Sequence, residues 1–134
     1  MGSKLFINIA VKNLEASKAF FSNLGFTFNP QFTDDKSACM IIGQNTFAML
    51  VQEERFKDFT KKELCNAQKY TEVLLSIDVE SREKVDELVK KAIEAGGKQY
   101  MEPLDYGWMY GHSFADLDGH QWDLFYMNES EIPQ

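Results

Sequence analysis

The side chains best equipped for chemistry are few, and they cluster near the C-terminus. Asp123 sits in Gln121-Trp122-Asp123-Leu124-Phe125-Tyr126-Met127, a run of β-favouring residues that reads as a strand. A carboxylate there either accepts a hydrogen bond from an adjoining strand or from His112, or binds a ligand's cationic or hydroxyl group. A general-base role is also open to it. His112 follows Tyr106-Gly107-Trp108-Met109-Tyr110-Gly111, which joins glycines to large amphipathic rings. That run suits the rim of a pocket or a hydrophobic plug over a barrel end. His120, beside Asp118-Gly119, reads as a solvated turn residue. Cys39 and Cys65 are not spaced as CxxC and read as two reduced thiols. No glycine-rich phosphate loop, paired catalytic carboxylates or Ser-His-Asp set is present.

The elements that must position these residues occur twice. Lys4 to Val11 reads as a strand with apolar residues on both faces. Asn13 caps a helix carrying Leu14, Phe20, Phe21 and Leu24, and Gly25 ends it. Phe26 to Phe32, Ala38 to Ile42 and Thr46 to Val51 follow as strands, separated by turns at Asp34-Asp35 and Gly43-Gln44-Asn45. After a charged connector the order restarts: a strand from Glu72 to Val79, then a Ser81-capped helix with Val85, Leu88, Val89, Ala92 and Ile93 on one face. Gly96-Gly97 stops that helix. Lys98 to Met101, Met109 to Asp116 and Gln121 to Met127 are the remaining strands, the last two joined through Asp118-Gly119. Matching Val11 to Val79 gives an offset of 68 residues, and matching Gly43 to Gly119 gives 76.

This order predicts one α+β domain over 1–134, with βαβββ modules at 4–51 and 71–127, a connector at 52–70 and a tail at 128–134. Eight strands in two sheets could pair edge to edge and curl into an open barrel around a central cavity.

Composition narrows the function. The 134 residues are 44% hydrophobic and carry a net charge of −7, with no cluster of Lys and Arg of the kind that nucleic-acid binding needs. No apolar run is long enough to span a bilayer, and the first residues lead into a strand without a signal-peptide stretch, so a soluble cytoplasmic protein is expected. The acidic excess would draw cationic ligands.

Two segments resemble a known family. Val11-Lys12-Asn13-Leu14-Glu15-Ala16-Ser17-Lys18-Ala19-Phe20-Phe21 with Leu24-Gly25-Phe26 is similar to the opening signature of the vicinal oxygen chelate superfamily, which includes glyoxalases, bleomycin-resistance proteins and extradiol dioxygenases. Asp116-Leu117-Asp118-Gly119-His120-Gln121-Trp122-Asp123-Leu124 is similar to its closing hairpin. The resemblance implies a homodimer, as do the exposed sheet edges. In metal-dependent members the ligands come from the first and last strand of each module. The matching positions here are Phe6, Leu74, Phe47 and Asp123, and a register shift by two reaches Asn8 and Ser76. A divalent ion needs about three His, Cys, Asp or Glu donors, and this set supplies one. The expectation is therefore no cofactor, with a divalent metal as the alternative, and a small aromatic or cationic ligand bordered by Phe6, Asn8, Phe47, Met49, Leu74, Trp108, His112, Asp123 and Phe125. The apolar members of that set could instead fill the cavity. If the protein is an enzyme, the resemblance implies a metal-dependent glyoxalase-like lyase or isomerase, or a dioxygenase.

Overall fold

The computed structural model describes residues 2–133. The chain divides into two compact units, 1–66 and 67–134, each a four-stranded mixed sheet with a helix against one face. Among the described residues no helix is long and apolar enough to cross a membrane.

In the first unit, β1 (Leu5–Val11) leads into α1 (Leu14–Asn23), and β2 (Thr27–Phe28), β3 (Ser37–Ile41) and β4 (Thr46–Gln52) follow. The sheet order is β1-β4-β3-β2, with β1 parallel to β4. The start of α1 is held twice. The Asn13 side chain accepts from the Ala16 amide at 3.1 Å. Gln52, at the end of β4, accepts from the Leu14 amide and donates to the Lys12 carbonyl. Gln52 is in phase with Ala48 and Leu50 on β4, so their face of the sheet is the helix side. Ile9, Val11, Ala48 and Leu50 are buried there together with Leu14, Phe20 and Phe21 of α1. A four-residue helix, α2 (Glu53–Phe56), begins the connector.

In the second unit, β5 (Leu75–Asp78) is followed by α3 (Arg82–Glu94), capped by Ser81, whose hydroxyl accepts from the Lys84 amide at 3.0 Å. Strands β6 (Leu104–Asp105), β7 (Met109–Ala115) and β8 (Gln121–Met127) complete a sheet of order β5-β8-β7-β6, again with its first and last strands parallel. Val85, Leu88, Val89 and Ala92 of α3 are buried with Phe114, Trp122 and Leu124, and α3 packs on β7 and β8. The Arg82 guanidinium makes a two-pronged ion pair with Asp105 at 2.9 Å and holds that carboxyl at a pKa of about 2, tying β6 to the start of α3.

The duplicated module is thus present, with five corrections in detail. First, Phe26 to Phe32 is not one strand. Pro30 opens a 3₁₀ turn whose first free amide, Gln31, is capped by Asn29, so pairing stops at Phe28. Second, the short strand expected at Lys98 to Met101 is a single bridge from Lys98 to Ala115. Pairing with β7 resumes only at Leu104, after Pro103, which has no amide hydrogen to donate. Third, β5 is shorter than Glu72 to Val79, and Ile93 of α3 is 40% exposed. Fourth, each sheet is open, and its far strand (β2 or β6) is two residues long, too short to extend a ladder into a barrel.

The fifth correction concerns the repeat itself. The N-caps Asn13 and Ser81 keep the offset of 68. The hairpins close at Ile41 opposite Phe47 and at Ala115 opposite Gln121, an offset of 74 rather than 76. Gly43 therefore has Leu117 as its counterpart. Of Gly43 and Gly119, the second alone has positive φ, at 92°, and a Cβ there would come within 2.8 Å of the Ala67 carbonyl and the Gln68 backbone. The two glycines answer different constraints.

The β7–β8 hairpin is organised by a buried carboxylate. Asp116 accepts from the indole of Trp122 at 2.9 Å and from the amides of Asp118 and His120 at 2.9 and 3.0 Å. Burial pushes its carboxyl pKa up, against the pull of His120 and these donors. Asp116→Ala leaves three N–H groups short of their acceptor, two on the turn and one in the core. We expect a loss of about 3 kcal/mol in chemical denaturation, and a loss below about 0.5 kcal/mol would show that the turn does not depend on this carboxylate.

Candidate ligand site

Strand alternation assigns each residue of the second sheet a face. On β7, Tyr110 and His112 point to α3: the Tyr110 hydroxyl donates to Asp86 at 2.6 Å, and His112 Nδ1 lies 3.9 Å from the same carboxylate. His112 is paired with Leu124, and Phe114 with Trp122, so these four share the helix side. Ser113 opposite Asp123, Gly111 opposite Phe125, and Ser76 opposite Asp123 lie on the other face.

That face forms a concavity of about 630 Å³, built wholly from second-unit residues. The size suits a small organic molecule. Its walls are apolar: Leu74, Met101, Leu104, Met109, Phe125 and Met127. Its floor carries oxygen. Asp123 is half-buried and accepts from Ser76 at 3.3 Å and from the Tyr100 hydroxyl at 3.4 Å. Both bonds are long, so neither saturates the carboxylate. Burial pushes the Tyr100 phenol up, a hydrogen bond with Ser113 opposes this, and the Asp123 charge reinforces it, so the phenol keeps its proton. Gln121 adds an amide paired with the Thr71 hydroxyl. Gly111 leaves the middle of the sheet without a side chain, and a Cβ there would meet only ordinary contacts.

The site residues expected from the sequence therefore separate. Leu74, Asp123 and Phe125 line this concavity. His112 borders it, but its ring lies on the helix side, and neither ring nitrogen has a hydrogen-bond partner among the described residues. Trp108 stands in the β6–β7 turn, its ring 6.5 Å from that of Tyr106, and is not part of the lining. Phe6, Asn8, Phe47 and Met49 share one face of the first sheet, opposite α1. There Phe6 stacks on Phe47 at 4.8 Å.

The register also changes the metal comparison. Asn8 opposite Met49 is the counterpart of Ser76 opposite Asp123, so the partner position of Asp123 in the first module is Met49, not Phe47. Asn, Met, Ser and Asp together offer one ionised donor, which does not fit a divalent ion. No group of three or more His, Cys, Asp or Glu side chains that could hold a metal ion occurs among the described residues.

Sequence reasoning missed Tyr100, Met101, Leu104, Met109 and Met127. The first three lie on or beside the irregular crossing between α3 and β7, where no periodicity marks a face. Met109 and Met127 were legible, being in phase with Ser113 and Asp123 respectively.

Comparison with known proteins agrees with this architecture. A family model described as bleomycin resistance protein-like N-terminal matches residues 4–43. The structure is similar to that of the hypothetical protein SA1046 from S. aureus, at 34% identity over 94% of each chain and a TM-score of 0.80. It is also similar in fold to a glyoxalase/bleomycin resistance protein/dioxygenase family enzyme from Burkholderia phytofirmans PsJN, at 19% identity over 91% of this chain and 96% of that one, with a TM-score of 0.74. The fosfomycin resistance protein FosX from Listeria monocytogenes shares the fold at 18% identity over 100% and 95% of the two chains, with a TM-score of 0.69. No curated protein matches the sequence. Two βαβββ modules with parallel first and last strands, and these likenesses, define a class by fold: the chain has the fold of the glyoxalase/bleomycin resistance protein/dioxygenase proteins, and residues 4–43 match their bleomycin resistance protein-like N-terminal model.

A carboxylate retained for folding would be needed by its neighbours, whereas one retained for a ligand would not be. Asp123 has only long hydrogen bonds to satisfy, and beyond the floor hydroxyls the walls around it are apolar. Asp123→Leu is expected to leave the thermal midpoint unchanged or to raise it by a few degrees. A fall of about 5 °C or more, of order 1 kcal/mol, would mark Asp123 as a structural residue.

Proposed function

We propose that the protein binds a small aromatic or cationic molecule in the concavity of its second unit and does so without a metal ion. The observation that carries this reading is the combination of an apolar wall with one under-bonded carboxylate at the floor. A cavity that merely completed a core would be lined by apolar side chains throughout, and a metal centre would gather several donors. The two acidic residues of the lining, Glu102 and Asp123, and the absence of Lys and Arg from it, favour neutral and cationic ligands over anionic ones. A net charge of −7 acts in the same direction at long range.

The same reading includes a homodimer in the cytoplasm. Leu5 and Phe6 on the edge strand β1 are 57% and 40% exposed, an apolar edge of the kind that association covers. Cys39 is a buried free thiol, in keeping with a reducing compartment.

Gly111→Leu tests the location. Its side chain would project from the middle of the sheet into the concavity, at a position that needs no positive φ. Purified protein treated with a chelator should give a thermal shift with a panel of aromatic amines and alcohols, and Gly111→Leu should abolish that shift while remaining folded by circular dichroism. Binding that requires added zinc, nickel, manganese or iron, or that survives Gly111→Leu, would contradict the proposal.

A further inference from the structure

The floor of the concavity is specific about the kind of cation it can hold. Four oxygen groups converge there: the Asp123 carboxylate, the hydroxyls of Ser76 and Tyr100 that donate to it, and the hydroxyl of Ser113, which is hydrogen-bonded with Tyr100 and lies opposite Asp123 on β7. Each hydroxyl keeps lone pairs after donating its proton, so the cluster can accept several N–H bonds from one nitrogen. An ammonium group with two or three N–H bonds satisfies it. A quaternary ammonium has no N–H to give; it is held best by aromatic faces, and the lining has only the rings of Phe125 and Tyr100 besides the His112 border. An anion would meet Asp123 and Glu102 with no Lys or Arg to offset them.

Resting on the binding reading above, we infer that the ligand is a protonated primary or secondary amine on an apolar body. Its nitrogen sits among the Asp123, Tyr100, Ser76 and Ser113 oxygens, and its body lies along Met101, Met109 and Met127. Thioether side chains are unbranched and polarizable, so that wall adapts to a flat aromatic or to an aliphatic body, while the floor fixes the charge. Selectivity therefore lies in the nitrogen and tolerance in the rest of the molecule. Tyr100 acts as a positioning residue: it donates to Asp123 Oδ1 as Ser76 donates to Oδ2, which orients the carboxylate plane.

The test uses four probes that share one ring: naphthylmethylamine, its N-trimethyl quaternary analogue, naphthylmethanol and naphthoate. Each is titrated calorimetrically into the full-length protein at neutral pH. The amine should bind at least about tenfold more tightly than the quaternary analogue and the alcohol, as a charge-assisted hydrogen bond requires, and naphthoate should be weakest. Asp123→Asn, which is nearly isosteric, should bring the ratio of amine to alcohol affinity close to one. Tyr100→Phe should lower the same ratio by a smaller factor. If the quaternary analogue or the alcohol matches the amine, or if Asp123→Asn keeps the preference, this inference is overturned while pocket binding stands. If none of the four binds, the binding reading fails and the inference with it.

Discussion

The hydrogen bond from the Trp122 indole to the buried Asp116 carboxylate fixes the second unit. Trp122 is 1% exposed and sits in the core with Val85, Val89 and Phe114. Because successive residues of a strand point to opposite faces, holding Trp122 under α3 forces Gln121 and Asp123 to the other side. A slip of one residue would bury Asp123 under the helix and expose the indole. Asp116 prevents this from the turn, where it also accepts the amides that shape the hairpin. The placement of the one ionised group on the concave floor thus follows from packing on the opposite face.

The two modules show how one frame carries different surfaces. Their helix caps and hairpins superimpose in sequence with offsets of 68 and 74, so β5 matches the middle of β1, and β7 and β8 match β3 and β4. In the first module the open face carries Phe6 stacked on Phe47, with Cys39 and Met49 beside them in register. In the second, the counterpart of Met49 is Asp123 and that of Asn8 is Ser76. The frame is set by the helix-side residues, which are mostly apolar in both modules. The open-face residues are free to vary, and on them the fold's varied chemistry depends.

Much of this was legible in the sequence, for reasons that can be named. Strong signals came from β1, apolar on both faces, from both helices with their Asn13 and Ser81 caps, and from the last two strands. Weak signals came from Phe26 to Phe32, where Pro30 interrupts the ladder, and from Lys98 to Met101, which Pro103 follows. Asp123 was placed by the resemblance, at the last-strand position where metal-dependent members hold a ligand, and it lies on the open face. His112 was expected to border the pocket, but its ring lies on the helix side; in Met109-Tyr110-Gly111-His112-Ser113-Phe114 both phases contain apolar residues, and only the pairing of Phe114 with Trp122 decides between them. Tyr100 could not be found from periodicity, because its segment crosses the open face without being a strand. Gly43 and Gly119 misled the repeat alignment, since glycine marks a turn without marking its position within the turn.

Methionine methyl groups offer the most direct measurement of the central claim, that the open face of the second unit binds its ligand without metal. Met101, Met109 and Met127 line the concavity, whereas Met40 is fully buried in the first unit. In a methyl-labelled sample kept in chelator, adding a hydrophobic amine should shift the Met101, Met109 and Met127 signals together and leave Met40 in place. Shifts that appear only after a divalent metal is restored, or that leave those three methyls unmoved while the amine binds, would contradict it.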